Sequence, residues 1–226
     1  MNAHHIRQSI VDLCQDLSRR GFLAATGGNI ALRVDADHMA VTPSALDYFA
    51  LKAEDICVLR IDDLSQIDGP HPPSVESDLH RRVFKKRPDC DCSLHTHQPA
   101  ASACALLGKS MPVAPGPRRD ILGEMAVLVA YAPSGTRWLA SRISESIRPN
   151  IQAYLMRNHG ALCCGPDIPT TVATLIALEE EAESYLRRLI DGRMFRQPSM
   201  NRLMGDILNA LADAGVRQPV SHYHNT

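Results

Sequence analysis

His95 and His97 stand one residue apart in Ser93-Leu94-His95-Thr96-His97, and a third histidine, His159, lies in Arg157-Asn158-His159-Gly160. Glu76 lies upstream of all three. Residues i and i+2 of a strand point to one face. An extended His-x-His therefore sets two imidazoles side by side. A third imidazole from another segment completes three nitrogen ligands with an open position, the plan of a catalytic zinc site. Imidazole also suits nickel, cobalt or copper. The bland alternative is a pair of hydrogen-bonded histidines at a strand end. Glu76 carries two readings as well: a first-turn carboxylate stabilised by a helix dipole, or an acid/base group at the metal.

The elements that must position these residues are legible from periodicity. Ile6 to Arg20 has helical spacing and stops at Gly21. Ile30 to Val34 and His38 to Thr42 read as a hairpin, preceded by the turn Thr26-Gly27-Gly28-Asn29. That turn is a plain connection or, since glycine lets successive N–H groups converge, an anion nest. Ile56 to Ile61 is a further apolar run. Pro70 to Pro73 is a loop, and Ser74 is an N-cap candidate for a helix from Glu76 to Lys86. Cys90 to His95 is a strand, Pro99 to Leu107 a helix, and Met111 to Leu122, with its Pro-Gly-Pro, an irregular loop. Met125 to Tyr131 is a strand and Ser134 to Ile147 a helix. Gln152 to Met156 and Ala161 to Cys164 are strands flanking His159, and Ile168 to Ile190 is the longest helix. The order suggests a central sheet with antiparallel pairs, covered by helices. Met200 to Ala212 reads as a terminal helix. His222 and His224 repeat the His-x-His spacing in a polar tail, where it is incidental.

A chain of 226 residues fits a single domain, 1–226, with its core at about 6–190 and a terminal helix and tail at 196–226. The net charge of -1 gives no electrostatic case for nucleic acid or a membrane surface. Only 4% of residues are aromatic, too few for base-stacking platforms. No stretch reaches the roughly 20 apolar residues of a membrane span, and Met1 to Arg7 lacks a signal-peptide core. A cytoplasmic location is the expectation. The 7 cysteines are an odd number, against a complete disulfide framework. Cys90-Asp91-Cys92 is too closely spaced for a zinc knuckle. Cys163 and Cys164 point to opposite faces of an extended segment, so all four read as small core residues.

Taken together and in order, Gly28-Asn29, Thr42-Pro43-Ser44, Pro73-Ser74-Val75-Glu76, His95-Thr96-His97, Tyr131-Ala132-Pro133-Ser134-Gly135-Thr136 and Asn158-His159-Gly160 resemble the class II aldolase/adducin family. That family includes L-fuculose-phosphate aldolase and L-ribulose-phosphate 4-epimerase. The resemblance implies an α/β fold, a three-layer α/β/α sandwich with a largely antiparallel, mixed central sheet. It implies a cyclic homotetramer with active sites between neighbours. It implies Zn2+ on His95, His97 and His159, with Glu76 as acid/base. Gly28, Asn29, Thr42, Ser44 and Ser74 would line a pocket for a substrate phosphate. Tyr131 would match a tyrosine that, in the fuculose-phosphate enzyme, comes from a neighbouring subunit and protonates the leaving aldehyde. Two residues depart from the pattern: Ala45 replaces a frequent glycine, and Val75 a serine, which leaves open a different phosphate contact or a non-phosphorylated substrate. The implied activity is zinc-dependent aldol cleavage of a small sugar or sugar phosphate through a metal-stabilised enediolate. Two sister reactions share that chemistry, dehydration of a methylthioribulose 1-phosphate and decarboxylation of a keto-sugar acid. Arg118 and Arg119 are candidates for a sugar-acid carboxylate, or are solvated charges. A non-catalytic, adducin-like interaction domain is the reading from another class.

Overall fold

The computed structural model describes residues 3–23 and 27–194. Thr26, the expected helix at Met200 to Ala212 and the histidines of the tail lie outside the described residues. Helix α1 (Ala3–Arg19) leads into β1 (Asn29–Arg33), β2 (His38–Val41), β3 (Cys57–Arg60) and β4 (Gln66–Asp68). Then follow α2 (Ser77–Lys86), β5 (Cys92–Thr96), α3 (Pro99–Leu106), β6 (Met111–Pro112) and α4 (Pro117–Leu122). The chain continues through β7 (Met125–Val129), α5 (Arg137–Ser146), β8 (Ala153–Met156), β9 (Gly160–Gly165) and α6 (Ile168–Met194).

The strands form one sheet of nine in the order β4-β3-β2-β1-β5-β9-β8-β7-β6. Every pair is antiparallel except β7 with β8. Strand alternation sorts the side chains into two cores. Ile30, Leu32, Cys92, Leu94, Ala161 and Cys163 face a cluster with α1, α3 and α6. Ala31, Cys90, Leu162 and Cys164 face a second cluster with Leu79, Val83 and Phe84 of α2 and Leu139 and Ile143 of α5. The result is an α/β/α sandwich. The cysteines of the described chain are free and buried, and those at 163 and 164 do point to opposite faces.

The structure corrects one segment. Met111 to Leu122 is not irregular: Met111–Pro112 pairs with β7 at the sheet edge, and Pro117 opens α4. Proline is tolerated in both places, because an edge strand need not donate on its outer side and N1 of a helix has no intrahelical N–H bond. Two helix starts also shift. Helix α5 begins at Arg137, where Thr136 caps it by accepting from Leu139 N at 3.2 Å. Helix α2 begins at Ser77, and Glu76 occupies its N-cap position with φ -101° and ψ 14°. Ser74 lies a turn earlier, its hydroxyl accepting from Glu76 N at 3.3 Å. Because Glu76 is not yet helical, its side chain can leave the α2 axis and reach across to β5.

Candidate metal centre

His95 is on β5, on the face covered by α2, and His97 lies one residue past the strand's end. The Nε2 atoms of His95 and His97 are 2.9 Å apart. His159 comes from the turn between β8 and β9, which are paired from Met156↔Gly160 inward. Asn158 takes φ 56° in that turn, a left-handed conformation that asparagine tolerates. Gly160 then passes so close to β5 that a Cβ there would lie 2.5 Å from Thr96 O and 2.6 Å from His97 Cδ2. The absent side chain is what allows His159 to close on the other two. One nitrogen from each of the three rings lies within 4.8 Å of the others. The His95 ring centroid is 4.7 Å from those of both His97 and His159.

The donor set fits a divalent transition metal. His95 Nδ1 lies 2.9 Å from Ala161 O. A carbonyl only accepts, so Nδ1 carries the proton and Nε2 presents a lone pair to the cluster, as metal-ligating histidines usually do. Burial pushes the His95 pKa down to about 4, against the pull of Glu76 and with help from His159 and His97. Burial also lowers His97. These two imidazoles are therefore neutral near pH 7, the form that binds a metal.

Glu76, 7% exposed, faces the same point. Its Oε2 is 3.2 Å from His95 Nε2 and its Oε1 is 3.4 Å from His159 Nε2. Asn29 Nδ2 donates to Oε2 at 2.9 Å and Ser134 Oγ to Oε1 at 2.8 Å. Burial opposes its charge, but His95, Asn29, His159 and Ser134 outweigh it and hold the carboxyl down at about 2. The centre thus combines an ionised carboxylate with imidazole lone pairs, three nitrogen donors with acid/base capacity beside them.

A model of the class II aldolase and adducin N-terminal domain matches residues 8–186. The chain belongs to the class II aldolase/adducin family. A 5-methylthioribulose-1-phosphate/5-deoxyribulose-1-phosphate aldolase of Rhodospirillum rubrum is 31% identical over 184 residues, 81% of each chain. A 5-deoxy-D-ribulose 1-phosphate aldolase of Bacillus thuringiensis serovar kurstaki is 31% identical over 180 residues, 79% of this chain and 83% of that protein. Among solved structures, an L-fuculose 1-phosphate aldolase matches with TM-score 0.75 and 26% identity, covering 91% of this chain and 96% of its own.

Within this aldolase/adducin-family chain, the other expected site residues fall in two places. Gly28, Asn29, Thr42, Ser44 and Ser74 gather at one end of β1 and β2. Thr42 pairs with Ile30, Ser44 N donates to Pro72 O at 2.9 Å, and Ser74 N donates to Thr42 O at 3.1 Å. Gly28 has φ 88°, and a Cβ there would meet His95 O at 2.7 Å, so the position needs glycine for the approach to β5 as well as the turn. Its carbonyl accepts from Tyr48 OH at 2.6 Å. Asn29 turns its amide to Glu76 and His80. Ala45 takes φ 57°, the backbone region glycine favours. Val75 is 68% exposed and Tyr131 51% exposed, beyond the end of β7. Arg118 pairs with Glu181 at 2.9 Å and Arg119 with Glu124 at 2.9 Å, so neither is a free guanidinium for a sugar acid.

Two residues of the centre escaped the sequence reading. Ser134 was visible only as part of a turn motif. His80 is fully buried, and burial pushes its pKa down to about 3, His95 adding to the fall and Glu76 opposing it. Its i, i+4 spacing from Glu76 was the available signal.

Proposed function

We propose that this chain is a metal-dependent lyase that cleaves a small ketose 1-phosphate by retro-aldol chemistry, with zinc on His95, His97 and His159. The observation that carries the reading is the convergence of three imidazoles on an ionised, doubly hydrogen-bonded Glu76. The family and the aldolase relatives support it, and the 5-deoxy- and 5-methylthio-ribulose 1-phosphates named for the Rhodospirillum protein set the first substrates to try. A divalent ion held by the three histidines would supply Lewis-acid polarisation of the substrate carbonyl.

The remaining work falls to the protein. Cleavage breaks the C3–C4 bond, moves its electron pair to C3, and transfers the C4 hydroxyl proton to C3. In this reading Glu76 carries that proton, supported by its ionised state and its position against two of the three imidazoles. Asn29 and Ser134 keep its oxygens aimed into the centre. Thr42, Ser44 and Ser74, with the backbone at Gly28, form the polar end suited to a phosphate. Tyr131, exposed on this chain, would serve the cleft of a neighbouring copy in a tetramer. A monomeric mass by light scattering would remove it from the reading.

Elemental analysis and a coupled assay for the released three-carbon ketone phosphate test the proposal together. About one zinc per chain, lost with turnover in His95→Ala, is expected. Full turnover in that variant would sink it.

A further inference from the structure

Behind Glu76, a line of hydrogen bonds runs between α2 and the sheet to β5. Asn29 Nδ2 donates to Glu76 Oε2 at 2.9 Å. Asn29 Oδ1 lies 2.6 Å from His80 Nε2. His80 Nδ1 lies 2.7 Å from Ser93 Oγ. Donor and acceptor types fix every proton along this line. An ionised carboxylate only accepts, so the Asn29 amino group must face Glu76 and its carbonyl must face His80. A carbonyl only accepts, so His80 carries its proton on Nε2. Nδ1 is then a lone pair, and the Ser93 hydroxyl donates to it. All three bonds are polarised towards Glu76, and His80 and Ser93 are fully buried, so no water competes.

A carboxamide is nearly the same shape after a half turn, so packing alone fixes its direction poorly. Turned over, Asn29 would set its carbonyl oxygen against the carboxylate, two acceptors in contact. With its proton on Nε2, His80 adds a second penalty, two donors in contact, which a turned Asn29 escapes only if His80 also moves its proton to Nδ1. Helix α2 supplies both partners of Asn29, Glu76 at its N-cap and His80 one turn on.

We propose that His80 is the positioning residue for Glu76, locking the Asn29 carboxamide with its donor towards Oε2. The inference rests on Glu76 acting as the acid/base group of the metal centre. It also assigns Asn29 to the carboxylate rather than to a substrate phosphate.

The test compares His80→Leu with His80→Gln in zinc-loaded protein. Leu removes the donor, whereas a Gln side-chain amino group can reach the Nε2 position and donate again. Loss of an outer partner of this kind costs about 10- to 100-fold in activity. That loss is expected in kcat for His80→Leu, with KM and zinc per chain unchanged, and His80→Gln should recover most of it. Equal losses in both variants, or wild-type kcat in His80→Leu, overturn the proposal. Should His80→Leu fail to fold, Asn29→Asp asks the same question by facing the carboxylate with a second acceptor. A fall in kcat supports the proposal and an unchanged kcat with raised KM overturns it. An independent readout needs no turnover: long-range proton–nitrogen NMR of the wild-type protein should find His80 protonated at Nε2, and protonation at Nδ1 overturns the assignment. Glu76→Gln runs alongside. Full kcat in that variant means the acid/base reading itself has failed, whatever His80 does.

Discussion

Two buried carboxylates, one on each face of the sheet, have opposite surroundings. Glu76 is 7% exposed and Glu181 0%. Glu181, on α6, accepts from Arg188 Nη2 at 2.8 Å, Arg118 Nε at 2.9 Å and Ala114 N at 3.2 Å. Glu76 meets no guanidinium among the described residues; an amide, a hydroxyl and two imidazoles surround it. A guanidinium keeps its charge at every accessible pH, so the charge of Glu181 is neutralised in place and fastens α6 to the 114–118 segment. Imidazoles can be neutral, which leaves the charge of Glu76 available to a proton or a cation. Burial of a carboxylate therefore does not mark function by itself. The kind of donor around it does.

The largest expected effect breaks the pair at Glu76. Glu76→Gln keeps the shape and loses the charge. Turnover should fall by about 10²–10⁴-fold, the usual scale of a general acid/base. Thermal stability should hold or rise, since relieving a functional carboxylate often stabilises a protein. Zinc per chain should be unchanged. Wild-type turnover would erase the contrast with Glu181, and loss of the zinc would make Glu76 a ligand rather than a proton carrier.

Much of this contrast was legible in the sequence, and the unread part has a physical cause. His95, His97, His159 and Glu76 stood out because few residue types bind metals or move protons, and because i, i+2 spacing in a strand is a local property. The alternation of Cys163 and Cys164 and the long α6 followed from period alone. His80 and Ser134 did not stand out, since their partners are 51 and 58 residues away and the contacts exist only once α2 and the 133–136 turn lie over β5. Helix α4 was hidden by its prolines, which read as breakers although one of them opens the helix. In the sequence, Glu181 is one charge among many on α6. Only its burial under two arginines separates it from its neighbours.

A smaller effect is expected where the histidine cluster depends on an absent side chain. Gly160→Ala places a Cβ 2.5 Å from Thr96 O, a contact real side chains do not make. The neighbouring atom is backbone, so β9 must move away from β5 and take His159 with it. Overpacking of this kind costs about 1–3 kcal/mol. Zinc titration of metal-stripped protein should show weaker binding alongside a lower melting temperature. Undiminished zinc affinity would mean that His159 is not held by the approach of the two strands.

The smallest effect belongs to the structural carboxylate. Arg118 and Arg188 are 38% and 47% exposed, so water can replace much of what Glu181 provides. Glu181→Gln should cost about 1 kcal/mol, roughly 2–4 °C in melting temperature for a chain of this size. Turnover and zinc should stay at wild-type levels. The pH dependence follows from the direction of its titration. Burial opposes the charge of Glu181, but Arg188 and Arg118 outweigh it, so its folded pKa lies below the unfolded value. Its stabilisation is complete above the ordinary carboxylate range and is lost as pH falls through the folded pKa. The gap in melting temperature between wild type and Glu181→Gln should therefore be widest near neutral pH and close in acid. A gap that persists in acid would mean that the carboxylate acts through packing and not through charge, and the contrast with Glu76 would then rest on shape.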